Sequence, residues 1–452
     1  MLYYKLKIRK VMNEPIITIG IKNAPKIALN IVGEYYIPRL NVYVRGRAYF
    51  ENSSRGILFE STMGTYYINE KDVFVASNED NASFWLNKVK IGKGFHWERE
   101  EDQHFLGKFK FVKENGGITL VNIIPLELYL ESVIGSEMSE NASSALLESQ
   151  AVVARSWTIA QLKKSNEKHN NIHRAKGEKL VWHERESHTL YDFCADDHCQ
   201  RYQGIKKTTA LTTAMATDKT RGIVLMHNDK ICDTRYSKSC GGITELYQNV
   251  WANKEIPCIS SIYDFSSPTY FSDFDLTNEN KFRKWIGSSP EAFCNTTDEK
   301  ILKQVLVDFD QETKDFFRWK KELSQNEISS LIKKNLHHDF GEIVDLVPTE
   351  RGKSGRIIKL KIIGTKRIFT IGKELEIRKA LSESHLYSAA FFVEKQNLID
   401  NIPQKFVLHG AGWGHGVGLC QIGAAVMGEK GYKFDEILEH YFPHARITRI
   451  YK

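Results

Sequence analysis

At 452 residues the chain is longer than one hydrophobic core usually supports, so two or three domains are expected. Its formal charge of +7 comes from 63 Lys and Arg set against 56 Asp and Glu, dispersed rather than gathered into a stripe, which counts against a nucleic-acid binder. No apolar run nears the roughly 18 residues of a membrane span, and seven cysteines are too sparse and uneven for a disulfide scaffold.

The first residues, MLYYKLKIRKVMNEP, alternate apolar and basic side chains without a continuous apolar core, so no export signal is visible in them. From Pro15 to about Phe111 apolar residues recur at period 2 between turn residues, in ITIGI at 17–21, ALNIV at 28–32, LNVYVRG at 40–46, TYYI at 65–68 and KFKFV at 108–112. This spacing predicts an N-terminal β-rich domain over residues 1–118. Next, ESVIG reads as the apolar end of a strand, and one long helix is predicted from Asn141 through Leu162, with Asn141 and Ser143 as candidate N-caps. Residues 177–204 read as irregular, and 221–244 as a short β-region that ends in turn chemistry. Residues 258–384 read as a separate α+β unit: Ser324 and Glu327 have capping-box spacing ahead of an Ile328, Leu331, Ile332 and Leu336 stripe, and a hairpin covers 342–364. The chain closes with HGAGWGHGVGLCQIG, a short helix to Gly428, and a helix whose Phe434, Ile437, Leu438 and Tyr441 share a face. The fold class is therefore α+β, with a core over 119–257 that resumes at 385–452.

Three constellations carry candidate chemistry. In the C-terminal stretch a glycine stands at every second position from Gly410 to Gly418; if the segment is extended, all five lie on one bare face. Such a face suits the close approach of a ligand or of another backbone, and the spacing leaves both open. His188, Cys194, His198 and Cys199 lie within twelve residues and suffice for a closed, tetrahedral, structural zinc site, with chance clustering of buried thiols as the alternative and His183 as a spare ligand. Glu137, between apolar ESVIG and the long helix, is placed for partial desolvation and general acid chemistry, or else simply tops the helix. On that helix Gln150 and Arg155 interrupt apolar surroundings, and a buried arginine needs a carboxylate or a polar ligand.

Taken together, three separated blocks resemble the SpoIID/LytB family of sporulation lytic transglycosylases and amidase enhancers. They are NIIPLELYLESVIGSEM with the following ALLESQAVVARSW, then YSKSCGGITE at 236–245, then GWGHGVGLCQIGAAVMGEKGYKFDEILEHYF, and they span Asn122 to Phe442 in family order. Departures are Ser139 for the usual proline, Glu148 for the usual lysine and Ser237 for the usual histidine. The resemblance implies a SpoIID-like core whose long helix flanks the active site. It also implies cleavage of peptidoglycan glycan strands, by preference peptide-free ones, to 1,6-anhydro-N-acetylmuramic ends. Glu137 falls on the family's catalytic glutamate; Gln150, Arg155, Tyr236, Ser237, His415 and Gln421 fall on substrate-binding positions; His188, Cys194, His198 and Cys199 fall where some members hold zinc. Trp413 or Trp157 would stack on a sugar. The family's other role, a non-catalytic glycan-binding activator of a cell-wall amidase, is the alternative. Either role implies a bacterial cell-envelope location.

Overall fold

The computed structural model describes residues 12–92, 98–139, 141–164, 172–185, 188–205, 210–266, 275–305 and 314–452. Most of the basic N-terminal stretch read above, residues 1–11, lies outside them. Among the described residues no helix is long and apolar enough to cross a membrane.

The period-2 segments form strands, among them Ile16–Ala24, Lys26–Ile37, Val42–Ser53, Gly64–Ile68 and Lys108–Glu114. Their inward side chains stack into an aromatic core in which Phe50 lies 4.1 Å from Phe111 and Phe74 lies 4.4 Å from Phe109, centroid to centroid. No packing break separates this sheet from the helices C-terminal to it. Ile16–Ala24 pairs antiparallel with Gly117–Pro125 on one side and parallel with Phe193–Cys194 on the other. One hydrophobic core runs from Ile17 to Tyr451 across both regions.

ESVIG is not a strand end. Pro125 ends the strand and caps a helix, α1 (Leu126–Glu137), whose Leu126, Tyr129, Leu130, Val133 and Ile134 form the buried i, i+3, i+4, i+7, i+8 stripe. The predicted long helix is α2 (Ser144–Leu162), and Ser143 is its N-cap, accepting from the Leu146 N–H. Every residue of α2 from Leu146 to Ile159 is buried, because α1 and helices Ala210–Lys219, Gln421–Glu429 and Phe434–Tyr441 surround it. A helix enclosed on all sides must satisfy its own polar residues. Ser156 and Thr158 hydroxyls bond back to the carbonyls of Val152 and Ala154.

Residues 319–408 have their own core, built on Trp319, Ile328, Ile332, Leu360 and Phe406, whereas Cys258, Phe293, Cys294, Leu302 and Phe316 pack into the main one. Helix Gln325–Leu336 starts with the Ser324/Glu327 capping box the sequence predicts. This unit is stitched to the rest at two sheets. Strand Glu178–Val181 adds to the hairpin strands Ile343–Arg351 and Ile357–Gly364 through Ile368–Gly372, and Ile402–Ala411, which leads into the glycine run, pairs with Arg318–Ser324.

Two departures from the family pattern have structural accounts. Glu148 is buried and accepts from Ser144 and from Lys219 at 2.7 Å. The Ser139 N–H, which a proline would lack, donates to the Gln304 carbonyl at 3.0 Å and so ties the end of α1 to the segment after Cys258.

Candidate active site

Glu137 is the last residue of α1, half-buried, at the edge of a groove of about 1130 Å³. One wall comes from the core: Tyr236, Ser237, Trp413, His415 and Gln421, with Asp197 and Arg201 beside Glu137. The opposite wall comes from the other unit, through Asn326, Glu327, Ser330 and Lys334 of helix Gln325–Leu336 and through Arg378, His385 and Tyr387. Five sequence-predicted residues, Glu137, Tyr236, Ser237, His415 and Gln421, thus meet in one groove although they span nearly three hundred positions.

Tyr236 and Ser237 are placed by a two-residue parallel pairing with Leu419 and Cys420. The Tyr236 hydroxyl reaches the Gln200 side chain at 3.3 Å, and Gln200 donates in turn to Thr158 of α2. Burial, and then the neighbouring Glu137 charge, hold the Tyr236 phenol well above its ordinary range, so it remains a neutral hydroxyl. Burial also raises the Asp197 carboxyl; Arg201, 3.1 Å away, opposes this and Glu137 reinforces it. His415 accepts the Val417 N–H at its Nδ1, and burial together with Arg235, Arg356 and Arg378 keeps its ring neutral. Such a ring positions backbone and is a poor proton carrier at neutral pH. Ser237 Oγ and Gln421 Nε2 are buried, face the groove, and find no hydrogen-bond partner among the described residues, which leaves them open to a polar ligand. Trp413 stacks on Tyr387 at 4.3 Å and 21°, making an aromatic platform from both walls.

Gln150 and Arg155 do not reach the groove. Arg155 is fully buried and grips Glu127 of α1 with two bonds, Nε to Oε1 at 2.9 Å and Nη2 to Oε2 at 2.6 Å, while Nη1 donates to the Ile223 carbonyl. Its need for a carboxylate is met in the core. Gln150 is likewise fully enclosed, and its amide has no partner among the described residues. Trp157 is 3% exposed and belongs to the core, which leaves Trp413 as the accessible tryptophan of the two.

Beyond Gly410, which lies in strand Ile402–Ala411, the glycine run is not extended. Gly412, Gly414, Gly416 and Gly418 all have φ between +73° and +90°, so it is a looped segment and not a strand with one bare face. What comes close is the chain itself: a Cβ at Gly418 would sit 2.2 Å from the Arg235 carbonyl oxygen, and one at Gly410 would sit 2.1 Å from the Trp319 ring. Another backbone comes close at Gly412 and Gly418, and a side chain, Trp319 or Arg356, at Gly410 and Gly416. Arg356 reinforces the crossing by donating to the carbonyls of Cys240 and Gly414.

His188, Cys194, His198 and Cys199 do converge, with ligand atoms all within 4.8 Å of one another. Cys199 Sγ lies 3.5 Å from His188 Nε2 and 3.7 Å from His198 Nδ1, and Cys194 Sγ lies 3.8 Å from His198 Nδ1. Tetrahedral zinc, with bonds of about 2.3 Å to sulfur and 2.0 Å to nitrogen, requires sulfur–nitrogen separations of about 3.5 Å. The four residues can therefore hold a metal ion, and along the chain they bracket Asp197 and adjoin Arg201. His183 is elsewhere, 3.3 Å from Glu376.

Sequence reasoning missed Asp197, Arg201, Tyr387 and the whole opposite wall. Only the proximity of Asp197 and Arg201 to the His/Cys cluster was available as a signal.

Residues 114–227 match the Stage II sporulation protein family, SpoIID, and residues 245–418 match a domain of unknown function, DUF8618. The SpoIID match and the amidase enhancer relative support placing the chain with the SpoIID/LytB family. It is 23% identical over 322 residues to the amidase enhancer of Bacillus subtilis, a match covering 71% of this chain and 40% of that protein. It is also 24% identical over 393 residues to an uncharacterized protein of Brachyspira hyodysenteriae, covering 85% of this chain and 84% of the relative.

Proposed function

We propose that the chain is a lytic transglycosylase that cleaves peptidoglycan glycan strands in the cell envelope, with Glu137 as its single acid/base. The observation that carries this reading is the convergence on one groove of the Glu137 carboxylate, two unpartnered buried polar groups, Ser237 Oγ and Gln421 Nε2, and the Trp413–Tyr387 platform. Glu137 protonates the glycosidic oxygen as the bond to the muramic carbon breaks, and the sugar's own 6-hydroxyl attacks that carbon. The carboxylate then accepts the hydroxyl proton. One carboxylate thereby does the work that hydrolysing glycosidases divide between two. The neutral Tyr236 hydroxyl and the Gln421 amide orient the sugar, and the aromatic platform carries a ring of it. Zinc on His188, Cys194, His198 and Cys199 would be structural, since four protein ligands leave no position for water, and it would hold the loop bearing Asp197 and Arg201.

The test is digestion of peptide-free glycan by Glu137→Gln, read by mass spectrometry of the released fragments. Anhydro products are expected from the wild-type chain and a loss of at least a hundredfold in the variant. Retention of anhydro products by the variant would remove Glu137 from the role. The amidase enhancer relative favours a second reading, a glycan-binding activator of an amidase, which keeps the groove and dispenses with proton transfer. That reading gains if both proteins bind glycan, neither cleaves it, and both stimulate an added amidase equally.

A further inference from the structure

The seven cysteines fall into three groups: Cys194 with Cys199, Cys232 with Cys258, and Cys240 with Cys294 and Cys420. We infer that the third group, completed by Asp264, is a second metal site, a buried Cys3Asp centre for zinc that fastens the segment bearing Asp264 and Cys294 to the two core loops walling the groove.

The four ligand atoms lie within 4.8 Å of one another, and all four residues are buried. Cys240 Sγ is 3.6 Å from Cys294 Sγ and 3.5 Å from Asp264 Oδ2. Tetrahedral zinc, with bonds of about 2.3 Å to sulfur and 2.0 Å to oxygen, places two sulfurs about 3.8 Å apart and a sulfur and an oxygen about 3.5 Å apart. Cys240 already stands close to those separations from Cys294 and Asp264.

The surroundings match a ligand set on both sides. Asp264 turns one oxygen toward the sulfurs while the other accepts the Tyr441 hydroxyl at 2.6 Å, and the Cys294 N–H donates to Oδ2 at 3.0 Å. The Cys240 N–H points at Cys420 Sγ at 3.2 Å. Cys420 is the N-cap of helix Gln421–Glu429, where the helix dipole favours a thiolate. Three thiolates and a carboxylate carry four negative charges; the ion removes two, and the partly buried Arg318 guanidinium, close enough to interact with Cys240 and Cys294, offsets another.

The location gives the site its role. Cys240 follows Ser237 and Lys238, Cys420 precedes Gln421, and all three of those neighbours line the groove. Asp264 and Cys294 come from the segment after Cys258, where Cys294 packs into the main core. The ion would thus fix the spacing of the core wall from four positions, two of them 180 residues apart, and each bound thiol would release its proton.

The test counts metal on the purified full chain by plasma mass spectrometry, with C194S/C199S silencing the first cluster. Two zinc ions per wild-type chain and one per C194S/C199S chain are expected. Cobalt(II) added to the stripped C194S/C199S protein should give tetrahedral d–d absorption with a thiolate charge-transfer band, losing about a third of that band's intensity on Cys294→Ser. Asp264→Asn, which preserves shape if the cysteine variant fails to fold, should weaken cobalt binding at least tenfold. One zinc in the wild type and none in C194S/C199S overturns the proposal. So does a disulfide joining any two of Cys240, Cys294 and Cys420 in a non-reduced peptide map, or unchanged cobalt affinity in folded Asp264→Asn.

Discussion

Replacing Arg155 with methionine separates a structural arginine from a glycan-binding one. The guanidinium makes two short bonds to Glu127 and one to the Ile223 carbonyl, in a site with no exposed side-chain surface on Arg155. Its removal strands the Glu127 carboxylate, which among the described residues keeps only the Tyr451 hydroxyl at 2.6 Å and the Gly222 N–H at 3.3 Å. Breaking a buried pair from one side costs about 3–5 kcal/mol, roughly a thousandfold in the ratio of folded to unfolded chain. Glu127→Gln in the same background removes the stranded charge and should recover about half of the loss. Urea denaturation followed by tryptophan fluorescence measures both values, and glycan binding is then measured on folded protein. The expected result is a large stability loss with glycan affinity unchanged. Stability within about 1 kcal/mol of wild type, accompanied by weakened glycan binding, would refute the buried-pair argument and return Arg155 to the groove.

Glu131 supplies a pH prediction: burial, and then the Glu127 charge one helical turn away, push its carboxyl up to about 7 from an ordinary 4.5. Because the folded state holds the proton more tightly than the unfolded chain, stability is fully present at low pH and declines as pH rises through that window. Glu131→Gln should flatten this decline in urea titrations between pH 5 and pH 8, and an unchanged slope would assign the decline to other groups. The glycines of the C-terminal run offer a graded test. Gly418→Ala meets the fixed Arg235 carbonyl at 2.2 Å and should cost about 2–4 kcal/mol, whereas Gly431→Ala, with φ of +89° and open space, should cost only about 1 kcal/mol. Equal losses would show that φ alone, and not the backbone crossing, makes glycine necessary at 418.

How much was legible depended on how local the cause was. Alternation at period 2 marked the N-terminal strands, and Ser324 with Glu327 marked a helix start, because side-chain direction and capping are settled within a few residues. The misreading of ESVIG came from judging a five-residue segment by itself; the stripe from Leu126 to Ile134 shows only across the whole helix. Glu137, Tyr236, Ser237, His415 and Gln421 were found through motif blocks, yet nothing in the blocks distinguished them from Gln150 and Arg155, which α2 turns into the core.

The sequence by itself determined the α+β alternation, the capped helices, the compact His188 to Cys199 cluster and the family. Each of these rests on residues close in the chain or on a motif read in order. Only the tertiary structure decided which polar residues face solvent, because burial on α2 depends on four helices drawn from distant parts of the chain. It alone supplied the second wall of the groove, and it alone gathered Cys240, Asp264, Cys294 and Cys420 into one pocket. A ligand set assembled from separate loops leaves no spacing to read, since long-range contacts are fixed by packing of the whole core and not by local periodicity.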